Sequence, residues 1–136
     1  MKKINYLAES KNIPLILAQV RNYLQKQNFK TDRLNKIELA IEELLVNIVK
    51  YAYPEKIGNI EITFFLKDSK ILVLKITQYG IPFNPLLKTN VDISSSLNER
   101  LVGGLGIFLV RNFADDIQYH RNDNKNILTL LFNKDK

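Results

Sequence analysis

Cysteine is absent from the 136-residue chain, so disulfide frameworks, Cys-ligated zinc, iron–sulfur sites and thiol nucleophiles are excluded. Histidine occurs once, at His120, which removes the usual multi-histidine metal sites as well. No run approaches the roughly 18 apolar residues that a bilayer-spanning helix needs. The opening MKKINYLAES lacks the apolar core of a secretory signal, and the expectation is a cytoplasmic protein that does not engage a membrane. Glycine is scarce: there are five, and four of them fall at residue 80 and within 103–106. With 46% hydrophobic and 25% charged residues, the composition is that of one ordinary globular domain spanning residues 1–136.

The formal charge is +6, and all of the excess is N-terminal. Residues 1–36 hold eight Lys/Arg against Glu9 and Asp32, while the remaining hundred carry twelve of each sign. Those basic residues are spread singly with no Arg-rich run, which reads as solvated surface rather than as a nucleic-acid interface.

Hydrophobic periodicity orders the chain. Residues 2–8 alternate weakly as a strand, with Ile4, Tyr6 and Ala8 on one side. Pro14 suits the first turn of a helix, and Leu15–Phe29 carries helical spacing up to a stop at Asn28. Thr31 or Asp32 can cap a second helix in which Ile37, Ile41, Leu44, Ile48 and Ala52 recur every three or four residues until Pro54. Period two then takes over. Ile60, Ile62, Phe64 and Leu66 mark one strand and Lys70–Thr77 its hairpin partner. Residues 80–104 show no periodicity, and a loop that long in a small domain is usually functional. Leu105–Asp115 reads as a third helix with Leu105, Phe108, Leu109 and Phe113 inward, and Ile117–Arg121 with Asn126–Phe132 closes the chain as a hairpin through Asp123–Asn124–Lys125. The expected architecture is an α+β two-layer sandwich, with helices on one face of a mixed, largely antiparallel sheet.

Three constellations carry chemistry. Glu43 and Asn47, in IEELLVNIVKYAY, share one side of helix two at the border of its apolar stripe. There a carboxylate can accept a proton beside an amide oxygen able to ligate Mg²⁺; alone, the spacing is also that of a polar helix flank. The segment Gln78-Tyr79-Gly80-Ile81-Pro82-Phe83-Asn84-Pro85 follows a strand, and Gly80 permits a close approach there that a side chain would block. Gly103-Gly104-Leu105-Gly106 opens helix three, where exposed N–H groups and the helix N-terminus suit a phosphate. No Gly-Lys-Ser/Thr follows, so a Walker A loop is rejected.

In this order, over nearly the whole chain, EELLVNIVKYAY, QYGIPFNP and GGLGIFLVRNFADDIQY resemble the N box, the D-x-G-x-P-F-D-P box and the G-G-L-G box of the GHKL superfamily, the Bergerat-fold ATP-binding domains. The resemblance is to the bacterial anti-sigma-factor serine/threonine kinases in particular. It implies Glu43 as the general base and Asn47 as the ligand of nucleotide-bound Mg²⁺. Gln78 and Gly80 would then lie beside the adenine, Gly104, Leu105 and Gly106 near the phosphates, and residues 86–102 would form a lid holding Asp92, Ser94–Ser96, Glu99 and Arg100. Arg100 has the reach for a terminal phosphate, although a solvated lid arginine is the plainer reading.

Gln78 stands where the family has an aspartate, offering a neutral carbonyl to the adenine amino group. Asn84 replaces a second aspartate and takes no role. His120 and the Asp115–Asp116 pair have no companion motif and read as structural. The resemblance implies an ATP- and Mg²⁺-dependent kinase in a partner-switching circuit that regulates transcription. Its substrate would be a small antagonist protein of STAS type, with a sigma factor and a second copy of the chain as further candidate partners. The alternative is a non-catalytic protein-binding module on the same fold, with nucleotide binding weakened or lost.

Overall fold

The computed structural model describes residues 1–54, 56–87 and 105–135. In chain order these form β1 (Lys2–Leu7), α1 (Ile13–Lys26), α2 (Thr31–Tyr51), β2 (Asn59–Lys67), β3 (Ile71–Gln78), α3 (Leu105–Phe113), β4 (Asp116–Asn122) and β5 (Lys125–Asn133). The strands make one sheet in the order β1-β2-β3-β5-β4, and every neighbouring pair is antiparallel. Both hairpin turns place two residues in the left-handed region, Asp68 and Ser69 in one and Asp123 and Asn124 in the other. Turns of that kind match the right-handed twist of the strands they join.

One core lies between the inward face of the sheet and the apolar stripes of the helices. The stripe expected on α2 is the one observed, with Ile37, Ile41, Leu44, Ile48 and Ala52 all buried. Opposite it, β3 contributes Leu72, Leu74 and Ile76 and β5 contributes Leu128, Leu130 and Phe132. This period-two alternation runs on into polar residues at one end of the sheet, where Gln78 and Asn126 are buried and face each other across the ladder. The apolar floor therefore ends in two amides beneath the C-terminal half of α2.

Four local expectations are corrected. Helix α1 begins at Ile13 and ends at Lys26, short of Phe29. Asn28 takes a positive φ, and the Phe29 N–H turns back to the Leu24 carbonyl. The N-cap of α2 is Lys30, with extended backbone and no side-chain cap, so Thr31 already lies inside the helix. In α3 the fully buried residues are Ile107 and Val110, whereas Phe108 is 55% exposed. The segment is apolar almost all round, which hides its phase. Gly106 against α2 selects the face that packs. Asp115 does more than turn the chain: it receives the guanidinium of the buried Arg33 at 3.1 Å, while Arg33 also donates to the Asn133 and Phe113 carbonyls. That cluster joins the start of α2 to the end of α3 and to β5. No helix among the described residues is long and apolar enough to cross a membrane.

Candidate functional site

Helix α2 carries Glu43 and Asn47 one turn apart, and the two meet different surroundings. Asn47 is 2% exposed, and its amide nitrogen has no hydrogen-bond partner among the described residues. Such an orphan normally costs on the order of 1–3 kcal/mol. Glu43 is half-buried. Burial raises its carboxyl pKa from the ordinary value, neighbouring Glu42 adds to the effect and Lys50 opposes it. The cause is desolvation, which favours the neutral form.

Helix α3 closes on Glu43 through Gly106. A methyl carbon built at Gly106 would lie 2.0 Å from Glu43 Oε2 and 2.4 Å from its Cδ. Only a glycine lets the first turn of α3 rest on the carboxylate, so two motifs 63 positions apart in sequence meet at one contact.

The second wall is the loop after β3. Gly80 sits where a side chain would strike the Ala52 carbonyl oxygen at 2.1 Å, and the next residue donates its N–H to that oxygen at 3.0 Å. The loop is thereby pinned to the end of α2. Gln78 is 2% exposed, and its Oε1 accepts the Gly80 N–H at 2.7 Å. Phe83 packs its ring 5.8 Å from that of Tyr51, so it spans the gap between the loop and the helix turn after Asn47.

Several residues that hold this loop carried no assignment in the sequence reading. Asn126 Nδ2 donates to the Ile81 carbonyl at 2.8 Å, and its Oδ1 accepts from Phe83 N–H, Tyr119 hydroxyl and Arg121 guanidinium. Arg121 also donates to the Gly80 carbonyl. Tyr53 donates to the Asn59 carbonyl and accepts from the Tyr79 N–H, each at 2.7 Å. One signal for Asn126 was available: it is a polar residue at an inward position of a strand whose other inward residues are apolar. Nothing marked Tyr53, because its hydroxyl acts only on backbone brought near by folding.

The structure thus brings Glu43 to Gly106, places Gln78 on Gly80, and locks Gly80 to the end of the helix bearing Asn47. Gly104 and lid residues 88–102, with Asp92, Ser94–Ser96, Glu99 and Arg100, lie outside the described residues, and Leu105 enters as the first residue of α3. Asn84 makes a local turn, accepting the Leu86 N–H at 2.9 Å. His120 is exposed on β4, and no cluster of potential metal ligands occurs among the described residues. The basic N-terminal region is partly neutralised, since Lys3, Lys11, Arg21 and Arg33 pair with Glu61, Glu9, Glu38 and Asp115. A cleft of about 650 Å³ adjoins the loop, with Tyr53, Lys56, Tyr79, Gly80 and Arg121 in its wall. It shares Gly80 with the site, but neither Glu43 nor Asn47 lines it.

Residues 6–132 match the histidine kinase-like ATPase domain family. Among characterised proteins, the chain is 28% identical over 125 residues to the serine-protein kinase RsbW of Bacillus mycoides (strain KBAB4), covering 89% of this chain and 78% of that one. RsbW of Bacillus cereus (strain 03BB102) is similar to the same degree, with the same coverage. Among solved structures, the RsbU and RsbW domains of Rv1364c from Mycobacterium tuberculosis superpose with a TM-score of 0.67 at 14% identity. That match covers 97% of this chain and 32% of the larger one. The SiaB-SiaC complex from Pseudomonas aeruginosa contributes a chain with a TM-score of 0.60 at 18% identity, covering 98% of this chain and 89% of that one. At these identities the two structures speak to the fold alone.

Proposed function

The chain belongs to the histidine kinase-like ATPase domain family, and from that premise we propose that it binds Mg-ATP and phosphorylates a serine or threonine of a small antagonist protein. The proposed setting is a partner-switching circuit of the anti-sigma-factor type. The similarity to proteins named serine-protein kinase supports the reaction class. The neighbour solved in complex with a second protein supports a protein partner.

The observation that carries the reading is the buried Asn47 amide nitrogen, which has no hydrogen-bond partner among the described residues, one turn from a carboxylate that a glycine of another helix touches. A core asparagine with no ligand to meet would be replaced at little loss by an apolar residue. Facing a nucleotide, the same amide becomes useful. Its nitrogen suits a phosphate oxygen, and with the amide turned over its oxygen suits a hard cation. The residues therefore fit the group.

When bound, Mg²⁺ and the triphosphate supply a transferable phosphoryl group whose charge the metal spreads. The protein's part is positional. Asn47, one turn from the C-terminal end of α2, would hold the metal and phosphates, and the N–H groups of Leu105 and Gly106 at the start of α3 would face their negative charge where the helix dipole favours it. Gln78 and Gly80 border the base. Glu43, whose proton affinity burial has raised, orients the acceptor hydroxyl and takes its proton. A carboxyl tuned upward is the better base near neutral pH.

Calorimetric titration with ATP, with and without Mg²⁺, tests the reading on the wild type and on Asn47→Ala. We expect the wild type to bind tighter with Mg²⁺, and the variant to lose that dependence while keeping its melting temperature. Absence of binding at millimolar nucleotide would overturn the kinase reading. Mg²⁺ dependence surviving in Asn47→Ala would return Asn47 to the helix flank.

A further inference from the structure

We propose that Gln78 sets the base preference of this nucleotide site, turning it away from purines with an amino group at position six and toward those with a carbonyl there. The inference rests on the nucleotide reading above and sharpens it to a substrate class. Gln78 closes the inward face of β3 and is almost wholly enclosed. Its amide has one clear constraint, the Gly80 N–H at 2.7 Å from Oε1. A backbone N–H can only donate, so the side-chain atom that meets it must be the oxygen. The orientation is tight, since even a methyl group at Gly80 would press to 2.8 Å from that oxygen.

With the oxygen committed, the amide presents its NH₂ on the other side. That group carries two donors and has no acceptor among the described residues. A carboxylate at position 78 would behave differently: one oxygen would take the Gly80 N–H and the other would still accept a bond. The two side chains offer opposite partners to whatever edge of the base reaches them. Adenine presents an amino group at position six, so an NH₂ facing it sets donor against donor. Hypoxanthine and guanine present a carbonyl there and accept. Hypoxanthine is the cleaner probe, because it lacks the additional amino group of guanine.

The test is to measure dissociation constants for ATP, ITP and GTP, all with Mg²⁺, on the full chain. The wild type is compared with Gln78→Asp and with Gln78→Met, which keeps the length and removes the polarity. Exchanging a made hydrogen bond for a donor–donor contact should change affinity about tenfold. We expect the wild type to bind ITP about tenfold tighter than ATP, Gln78→Asp to reverse the order, and Gln78→Met to bring the two close to equal. Should Gln78→Asp fail to fold, the collapse of the ITP preference in Gln78→Met carries the result alone. Tighter binding of ATP than of ITP by the wild type, or the same ratio in wild type and Gln78→Met, overturns the proposal and leaves the nucleotide site standing. Failure of every nucleotide to bind at millimolar concentration overturns the site and the proposal together.

Discussion

Replacing Gly106 by alanine separates the fold from the chemistry. The new methyl carbon would lie 2.0 Å from Glu43 Oε2 and 2.4 Å from Cδ. A real Cβ essentially never approaches another atom within 3.0 Å, so the carboxylate has to retreat by at least about 1 Å. That retreat is inexpensive for stability, because the struck atoms form the far end of a flexible side chain that is only half-buried. Alanine in place of glycine inside a helix returns up to about 1 kcal/mol, so the net change in unfolding free energy should be within about 1 kcal/mol of zero. The chemical consequence is larger. A reacting group displaced by about 1 Å can lose on the order of a hundredfold in rate, while a nucleotide held by Asn47 and the loop after β3 should bind almost as before. The assay pairs thermal denaturation with ATP affinity and with the rate of ADP formation at saturating Mg-ATP. The expected pattern is an unchanged melting temperature, affinity within about threefold, and turnover down about a hundredfold. Wild-type turnover in Gly106→Ala would refute the role given to Glu43. A melting temperature lower by 10 °C would show that the backbone, rather than the carboxylate, yields.

Glu43→Gln tests the buried carboxyl through pH. Its folded pKa is raised by burial, so the stability it contributes is complete below the unfolded value, about 4.3, and is lost as pH rises through the folded value. The neutral variant should melt higher than wild type at pH 7 and show no such gain at pH 4; a gain of equal size at both would contradict the assignment. Arg33→Ala strips Asp115 of its buried cation and two backbone carbonyls of a donor. Breaking such a pair costs about 3–5 kcal/mol, so denaturant melts should show most of the domain's stability gone, and a loss below 1 kcal/mol would mean that water replaces the guanidinium. Asn126→Ala removes one hydrogen bond from the Ile81 carbonyl and one from the Phe83 N–H. We expect a loss of about 2 kcal/mol in stability together with about tenfold weaker nucleotide binding, and an unchanged affinity would separate Asn126 from the site.

Local sequence already announced the sandwich, because α2 and β2 each repeat their apolar residues at one period and the later apolar runs sit between turn residues. It misleads in α3, where LGIFLVRNF is apolar on nearly every side and side-chain size points to the wrong face. The packed face is instead chosen by Gly106, the one residue small enough to meet Glu43. Glu43, Asn47, Gln78 and Gly80 stand out in the sequence only through the motifs that hold them, since the Glu43–Asn47 spacing alone is that of a polar helix flank. What positions them in the fold does not stand out. Tyr53 acts on the Tyr79 N–H, Asn126 on Ile81 and Phe83, and Arg33 on Phe113 and Asn133. Each of these partners lies 26 or more residues away in sequence and becomes a neighbour only when the sheet closes. Gln78 shows the same limit at one residue: its identity was plain, but the orientation of its amide depends on a hydrogen bond to Gly80 that sequence does not reveal.

The most direct measurement is residue-resolved NMR of the isotopically labelled chain, titrated with a non-hydrolysable Mg-ATP analogue or its inosine counterpart. The account predicts that backbone amide shifts concentrate at residues 43–47, 78–83 and 105–107, and that the Asn47 side-chain NH₂ signals move only when Mg²⁺ is present. Shifts confined to the neighbouring cleft around Lys56, Arg121 and Asn124, or none at millimolar nucleotide, would contradict it.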